Sequence, residues 1–260
     1  MKKFVLLAMA FSFAFSLSAK EWKKIRIGTE GAYPPFNFVD KDGKLVGLEI
    51  DFAKALCAEL KVTCTFHAQD WDGIIPALLA KKYDVIIASL SITDDRKKTI
   101  EFSMPYYTTP NRFVVHKTSP CGLGTEPNGL TTKTIGVQKA TVSENFIVEN
   151  YKKSGIKSYV TIEEAFLDLK AKRVDLVFND ALSSSNGFLN TPAGKDFNFI
   201  GKEYTDPKWF GIGIGAGVRK SDKDLKKLLD KGIKALYSNG KFKKIADSYF
   251  PNTDIMISKK

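Results

Sequence analysis

Short apolar runs of four to six residues alternate along the chain with longer stretches in which apolar positions recur every three to four residues. The first pattern predicts buried strands and the second amphipathic helices, so the chain reads as α/β. Strands are predicted at 25–29, 64–67, 84–88, 112–116, 134–137, 175–179 and 211–218. Helices are predicted at 48–60, 72–81, 143–153, 162–172, 180–189, 221–238 and 241–249. The helix over 48–60 places Phe52, Ala53, Leu56, Cys57 and Leu60 on one face. Ser221 and Asp222 are natural caps for the penultimate helix.

Residues 1–19 stand outside this alternation. Lys2 and Lys3 precede an apolar run from Phe4 to Leu17, and the small Ser18 and Ala19 come before the polar Lys20-Glu21. That is the layout of a secretory signal peptide cut after Ala19, and no later segment is long and apolar enough to cross a bilayer. The expected product is a soluble exported protein. An oxidising compartment changes the reading of Cys57 and Cys64, whose spacing can tie a helix end to the next strand; the alternative is two buried free thiols. Cys121 reads as a loop cysteine.

One internal similarity bears on architecture. Ala80-Lys81-Lys82-Tyr83-Asp84-Val85-Ile86-Ile87-Ala88-Ser89 lines up with Ala171-Lys172-Arg173-Val174-Asp175-Leu176-Val177-Phe178-Asn179-Asp180. Both read as a helix end, a tight turn and a buried strand ending in a polar residue, which predicts two similar lobes. A weaker echo, Ile27-Gly28-Thr29-Glu30 against Ile135-Gly136-Val137-Gln138, reads as the common likeness of α/β units. Ligands of open parallel sheets sit outside the carboxyl ends of strands, so Glu30 and Ser89 of one lobe would face Asp180 of the other.

The balance of 40 Lys+Arg against 29 Asp+Glu, formally +11, makes the protein basic. The basic residues form no stripe interleaved with aromatics, so a nucleic-acid partner is not expected. Two His and three Cys leave few metal ligands, and neither His67 nor His116 has a metal-ligand spacing; no cofactor is expected. No G-x-S-x-G elbow exists. Gly211-Ile212-Gly213-Ile214-Gly215-Ala216 loosely matches a dinucleotide fingerprint, but its glycines alternate along a strand, which predicts close passage beside other backbone. The hydroxyl-rich Ser89-Leu90-Ser91-Ile92-Thr93, with Arg96 one helical turn on, suits a bound carboxylate; equally, Thr93 is a simple N-cap and Arg96 a solvated residue. Asp180 is either a helix cap or a counter-charge for an ammonium. Tyr33 and Trp71 are as ordinary in a core as in a binding wall.

Several of these segments together carry a resemblance. Gly47-Leu48-Glu49-Ile50-Asp51-Phe52, followed by Leu56-Cys57 and Leu60, is similar to the signature of the polar amino-acid family of periplasmic solute-binding proteins that serve ABC importers. Tyr33-Pro34-Pro35-Phe36, Asp72-Gly73-Ile74-Ile75-Pro76, Ser89-Leu90-Ser91-Ile92-Thr93 and Gly215-Ala216-Gly217-Val218-Arg219-Lys220 fall in the same register. The chain resembles the lysine/arginine/ornithine- and histidine-binding members over nearly its whole mature length. The resemblance implies a two-lobed α/β fold with hinge strands near 107–112 and 204–213. One lobe would hold 20–109 and 210–260, the other 110–209, with a Cys57–Cys64 disulfide. It implies a monomer that hands a cationic L-amino acid, arginine before lysine, ornithine or histidine, to an ABC permease. Arg96, with Ser91 and Thr141, would clamp the α-carboxylate; Asp180 and Ser89 would meet the α-ammonium. Glu30 would face the distal cation, Tyr33 and Trp71 would stack on its stem, and Gln138 joins the ligand set.

Three positions depart from the pattern: Ala88 where a second Ser is frequent, Val142 where Thr is usual, and Glu30 where Asp is more frequent. Thr29-Glu30-Gly31-Ala32-Tyr33 is also similar to opine-binding members, although no extra cation is assignable to a second ligand carboxylate. The resemblance extends to cyclohexadienyl dehydratases, enzymes on the same architecture. Here no general acid beyond Glu30 stands spare, so a binding protein is expected. Chemoreceptor presentation is a further role that the residues do not separate from transport.

Overall fold

A computed structural model of the protein describes residues 21–119 and 125–257; residues 1–19, expected to be a signal peptide, and Cys121 lie outside them. Two five-stranded sheets organise the chain. In the first, Lys24–Thr29 lies parallel to Thr63–Ala68 on one side and to Val85–Ile86 on the other. Gly217–Val218 then runs antiparallel to Val85–Ile86 and to Glu101–Phe102. In the second sheet, Thr134–Gln138 lies parallel to Gly155–Tyr159 and Leu176–Asp180. Asn111–His116 runs antiparallel to Leu176–Asp180 and to Phe197–Tyr204. The two sheets have one topology.

The repeat is closer than its sequence suggests. Asp84 accepts the Arg26 backbone N–H at 3.0 Å, and Asp175 accepts that of Thr134 at 2.8 Å. Lys81 and Lys172, each two residues before a helix-to-strand turn is complete, have φ of 60° and 59°. Ile27 and Gly28 pair with Val85 and Ile86 as Ile135 and Gly136 pair with Leu176 and Val177. The weaker echo is therefore a true correspondence, in correction of its reading as mere family likeness of α/β units. Glu30 and Gln138 occupy equivalent strand ends, as do Ser89 and Asp180.

Each sheet is covered by helices whose apolar faces supply the core. Leu48–Leu60 buries Leu48, Phe52, Ala53 and Leu56 against Ile25, Ile27 and the helix Lys223–Ser238, with its own Leu225, Leu229 and Ile233. The second lobe packs Phe146 and Ile147 on Phe113, Ile135 and Phe178. A disulfide joins Cys57 to Cys64, tying the end of the first helix to the next strand.

Several predicted elements are shorter than expected. The strand over 84–88 keeps only Val85–Ile86 in a ladder, because Asp84 turns to Arg26 and Ser89 takes a left-handed φ of 51°. The helix over 72–81 divides into a 3-10 turn, Trp71–Gly73, and an α segment, Ile74–Leu79; that over 180–189 passes from Ala181–Ser184 into a π-helical turn. The glycine-rich run 211–218 forms a regular strand only at Gly217–Val218. Its close passage beside other backbone is as expected: a Cβ at Gly211, where φ is +77°, would lie 2.3 Å from the Ile92 carbonyl oxygen. Asp222 stands at the start of Lys223–Ser238 but makes no side-chain cap, being drawn 2.6 Å from Arg219. Gly155–Tyr159 and Phe197–Tyr204, not predicted, are the outer strands of the second sheet, and their largely exposed residues show no buried-strand pattern.

Candidate functional site

The two sheets aim their strand ends at one another across a cleft of about 730 Å³ including its mouth. Glu30, Tyr33, Trp71, Ser89, Ser91, Arg96, Gln138, Thr141 and Asp180 all line it. The segments 108–110 and 205–211, which pass between the sheets, add Thr109 and Phe210, and the second lobe adds Asn111, Ser143 and Asn179. These were not legible as site residues, since a Thr before a proline or an Asn beside an acid has many commoner uses.

Arg96 is positioned by the turn before it. Thr93 caps the short helix Asp94–Lys97 by accepting the Arg96 backbone N–H at 3.3 Å, so Thr93 is indeed an N-cap and Arg96 nevertheless enters the cleft. The guanidinium donates from Nη1 to the Ser91 carbonyl at 3.1 Å and lies 5.3 Å from the Trp71 ring centroid. No carboxylate forms a salt bridge with it among the described residues, and burial pushes its pKa down to about 10. A guanidinium has five N–H donors, so the Arg96 fork keeps capacity for a carboxylate. Thr141 caps Val142–Asn150, accepting from the Glu144 N–H at 3.1 Å. Its own hydroxyl donates to the Gln138 carbonyl at 2.7 Å, so what this turn offers the cleft is backbone N–H at a helix N-terminus.

The carboxylates form the opposite half of the site. Asp180 accepts from the Ser183 N–H at 2.8 Å and from the Thr109 hydroxyl, so it is both a cap and a cleft residue. Burial nonetheless raises its pKa to about 6. Glu30, 8% exposed, accepts from Gln138 Nε2 at 2.6 Å. Burial, reinforced by Asp70 and Glu49, raises it to about 7 against the pull of that hydrogen bond. Both acids lack a cation partner among the described residues, and a charge brought there would restore their ordinary ionisation.

Several contacts cross the cleft. Besides Gln138 to Glu30, Trp71 Nε1 donates to the Ala140 carbonyl at 3.0 Å, the Tyr33 hydroxyl lies 3.2 Å from Asn179 Oδ1, and Lys139 meets Asp72 at 2.6 Å. Ser89 is differently engaged: its N–H and hydroxyl both go to Glu49, a buried acid that does not itself line the cleft. Among the described residues no group of three or more His, Cys, Asp or Glu is arranged to hold a metal ion.

Known proteins are similar to this chain in sequence and fold. Residues 25–252 match the sequence model of the bacterial extracellular solute-binding proteins, family 3. The L-arginine-binding protein of Pseudomonas aeruginosa is 40% identical over 253 residues, covering 96% of this chain and 97% of that one. The histidine-binding periplasmic protein of Escherichia coli is 40% identical over 255 residues, with 96% and 97% covered. Among solved structures, an ancestral arginine-binding protein bound to glutamine superposes with a TM-score of 0.81 at 34% identity, covering 89% of this chain and 99% of that one. An ancestral amino acid-binding protein described as a precursor of cyclohexadienyl dehydratase superposes with a TM-score of 0.77 at 30% identity, covering 88% and 96%.

Proposed function

The chain belongs to the family 3 bacterial extracellular solute-binding proteins, and within that family we propose that it captures a cationic L-amino acid, arginine first, and delivers it to an ABC permease in the periplasm. The observation that carries this reading is the charge pattern of the cleft. One guanidinium, Arg96, shares the cleft with two carboxylates, Asp180 and Glu30, and among the described residues none of the three forms an ion pair. A ligand with one carboxylate and two cations is the complement, and burying it without those partners is costly. Arg96 and the Thr141–Ser143 backbone take the α-carboxylate, Asp180 and Ser89 the α-ammonium, and Glu30 the side-chain cation. Tyr33 and Trp71 bound the stem. Residues 20–109 with 210–260, and 110–209, act as two lobes that close over the ligand as a monomer.

Calorimetry against the common amino acids tests this. Arginine, lysine, ornithine or histidine is expected to bind best, and tighter binding of glutamate would overturn the reading of the pocket. An enzymatic role on the same fold is the second reading, supported by the dehydratase-precursor neighbour. Product formed from prephenate or arogenate would favour it.

A further inference from the structure

Glu49 is the second residue of Leu48–Leu60 and is 0% exposed. Among the described residues no lysine or arginine pairs with it. Its oxygens instead collect donors: Oε1 accepts from the Ser89 N–H at 2.8 Å and the Tyr106 hydroxyl at 2.9 Å. Oε2 accepts from Asn37 Nδ2 at 2.9 Å and the Ser89 hydroxyl at 3.0 Å. The orientation of Asn37 is fixed, because its Oδ1 accepts from the Gly31 N–H at 2.9 Å. Each carboxylate oxygen therefore faces one group that can only donate, the Ser89 amide or the Asn37 amide. The N-terminus of the helix adds a favourable field for negative charge. Burial holds the neighbouring Tyr106 and Tyr107 hydroxyls neutral. Burial raises the Glu49 pKa, and the bonds from Ser89, Tyr106 and Asn37 pull the other way; four donors converging on its two oxygens are the geometry that suits an ionised carboxylate.

A consequence follows for Ser89, which lines the cleft. A hydroxyl has one proton and two lone pairs. The Ser89 proton is committed to Glu49, so the Tyr107 hydroxyl, 2.8 Å from Ser89 Oγ, must donate to one lone pair. The remaining lone pair is what the hydroxyl can offer the cleft. We propose that Glu49 is a positioning residue that sets the polarity of the Ser89 hydroxyl, making it an acceptor only and so selecting a ligand that carries a donor, an ammonium, at that point. The proposal rests on the cationic amino-acid reading and deepens it. It explains why a neutral hydroxyl at the position equivalent to Asp180 serves the same cation from the other lobe. The Ser89 amide bond to Glu49 also holds the left-handed turn that aims the hydroxyl.

The test compares arginine with its des-amino analogue, 5-guanidinopentanoate, by calorimetry on the mature chain. In Glu49→Gln the new amide group, placed at the Oε2 side, gives up the bond from Asn37, donates to Ser89 Oγ and releases the serine proton toward the cleft. Arginine is expected to lose about tenfold or more in affinity, while the des-amino analogue changes by less than about twofold. Equal losses for both ligands, with an unchanged melting curve, would overturn the proposal, as would a full arginine preference. A wild-type protein with no preference for arginine over the analogue would overturn the cationic amino-acid reading itself, and this proposal with it. Tyr107→Phe probes the same polarity without touching Glu49. It removes a donor to Ser89, so the arginine preference should hold or rise; if the serine proton instead rested on Tyr107, it would be freed and the preference would fall about tenfold.

Discussion

The two lobes share one topology and register, yet they bring different chemistry to the cleft. At each pair of equivalent strand ends one lobe carries a carboxylate and the other a neutral hydrogen-bonding group: Glu30 faces Gln138, and Ser89 corresponds to Asp180. The acids are thus set diagonally. Had both copies kept an acid at the first position, closure would press two carboxylates together where Gln138 now donates at 2.6 Å. A repeated frame supplies the geometry, and single-residue differences between the copies supply the charge pattern. Among the described residues the one cation lining the cleft, Arg96, belongs to the first lobe, on a short helix outside the repeated strands.

That division can be broken most strongly at Arg96. Arg96→Ala removes what the second lobe has no equivalent for, and amino-acid binding should weaken by ~3–5 kcal/mol, because the ligand carboxylate is left buried and unpaired. Calorimetry should show this with the melting temperature nearly unchanged; near-normal affinity would refute the assignment. Glu30→Gln makes the first strand ends alike in both lobes. Arginine should weaken by ~2–4 kcal/mol and citrulline far less, whereas equal weakening would make Glu30 a mere wall residue.

Acidity sharpens the same contrast. In the closed cleft Glu30 rises from its ordinary 4.5 to about 7 and Asp180 from 3.8 to about 6. A raised carboxyl pKa favours that conformation when protonated, so closure without a cation is easiest below about pH 4 and loses this support as pH rises through 6 to 7. A bound cation lowers both pKa values, so binding should release protons. Arginine affinity should fall by about tenfold or more from pH 8 to pH 5, and calorimetry in buffers of different ionisation enthalpy should report the released protons. A flat profile would contradict the pairing. The smallest effect is steric. A Cβ on Gly187 in the second lobe would lie 3.0 Å from the Pro34 carbonyl oxygen in the first. Gly187→Ala should therefore oppose closure by about 1 kcal/mol, seen in small-angle scattering as a larger radius of gyration at subsaturating ligand.

Much of this was legible in the sequence, and the exceptions have physical causes. The helices Leu48–Leu60 and Lys241–Tyr249 match their predicted bounds because their apolar positions repeat with the helical period and buried faces enforce it. Strands buried on both sides, such as Leu176–Asp180, were equally plain. Gly155–Tyr159 was invisible because an edge strand exposed along most of its length needs no apolar pattern. All nine expected ligand residues line the cleft; Asp180, read as either a cap or a counter-charge, caps its helix there, and Arg96, whose alternative was a solvated face beside a Thr93 cap, lines the cleft although Thr93 does cap its helix. Glu49 carried no such signal. An acid in the first turn of a helix is ordinarily solvated, and its burial depends on Asn37, Ser89 and Tyr106, which only tertiary folding brings together.

The short strand Gly217–Val218 sits between Val85–Ile86 and Glu101–Phe102, inside the first sheet rather than at its rim. Arg219, the next residue, reaches the buried Asp84 that also holds Arg26. The first lobe therefore cannot complete its sheet until the chain has emerged past residue 219, whereas every strand of the second lies between Asn111 and Tyr204. A chain appearing N-terminus first forms the second lobe as a contiguous unit, and the first must wait with Val85–Ile86 open on one side and Glu101–Phe102 unpartnered. The order of maturation is the reverse of the order of synthesis, and the lobe that holds Arg96 and Glu30 is the last to become competent.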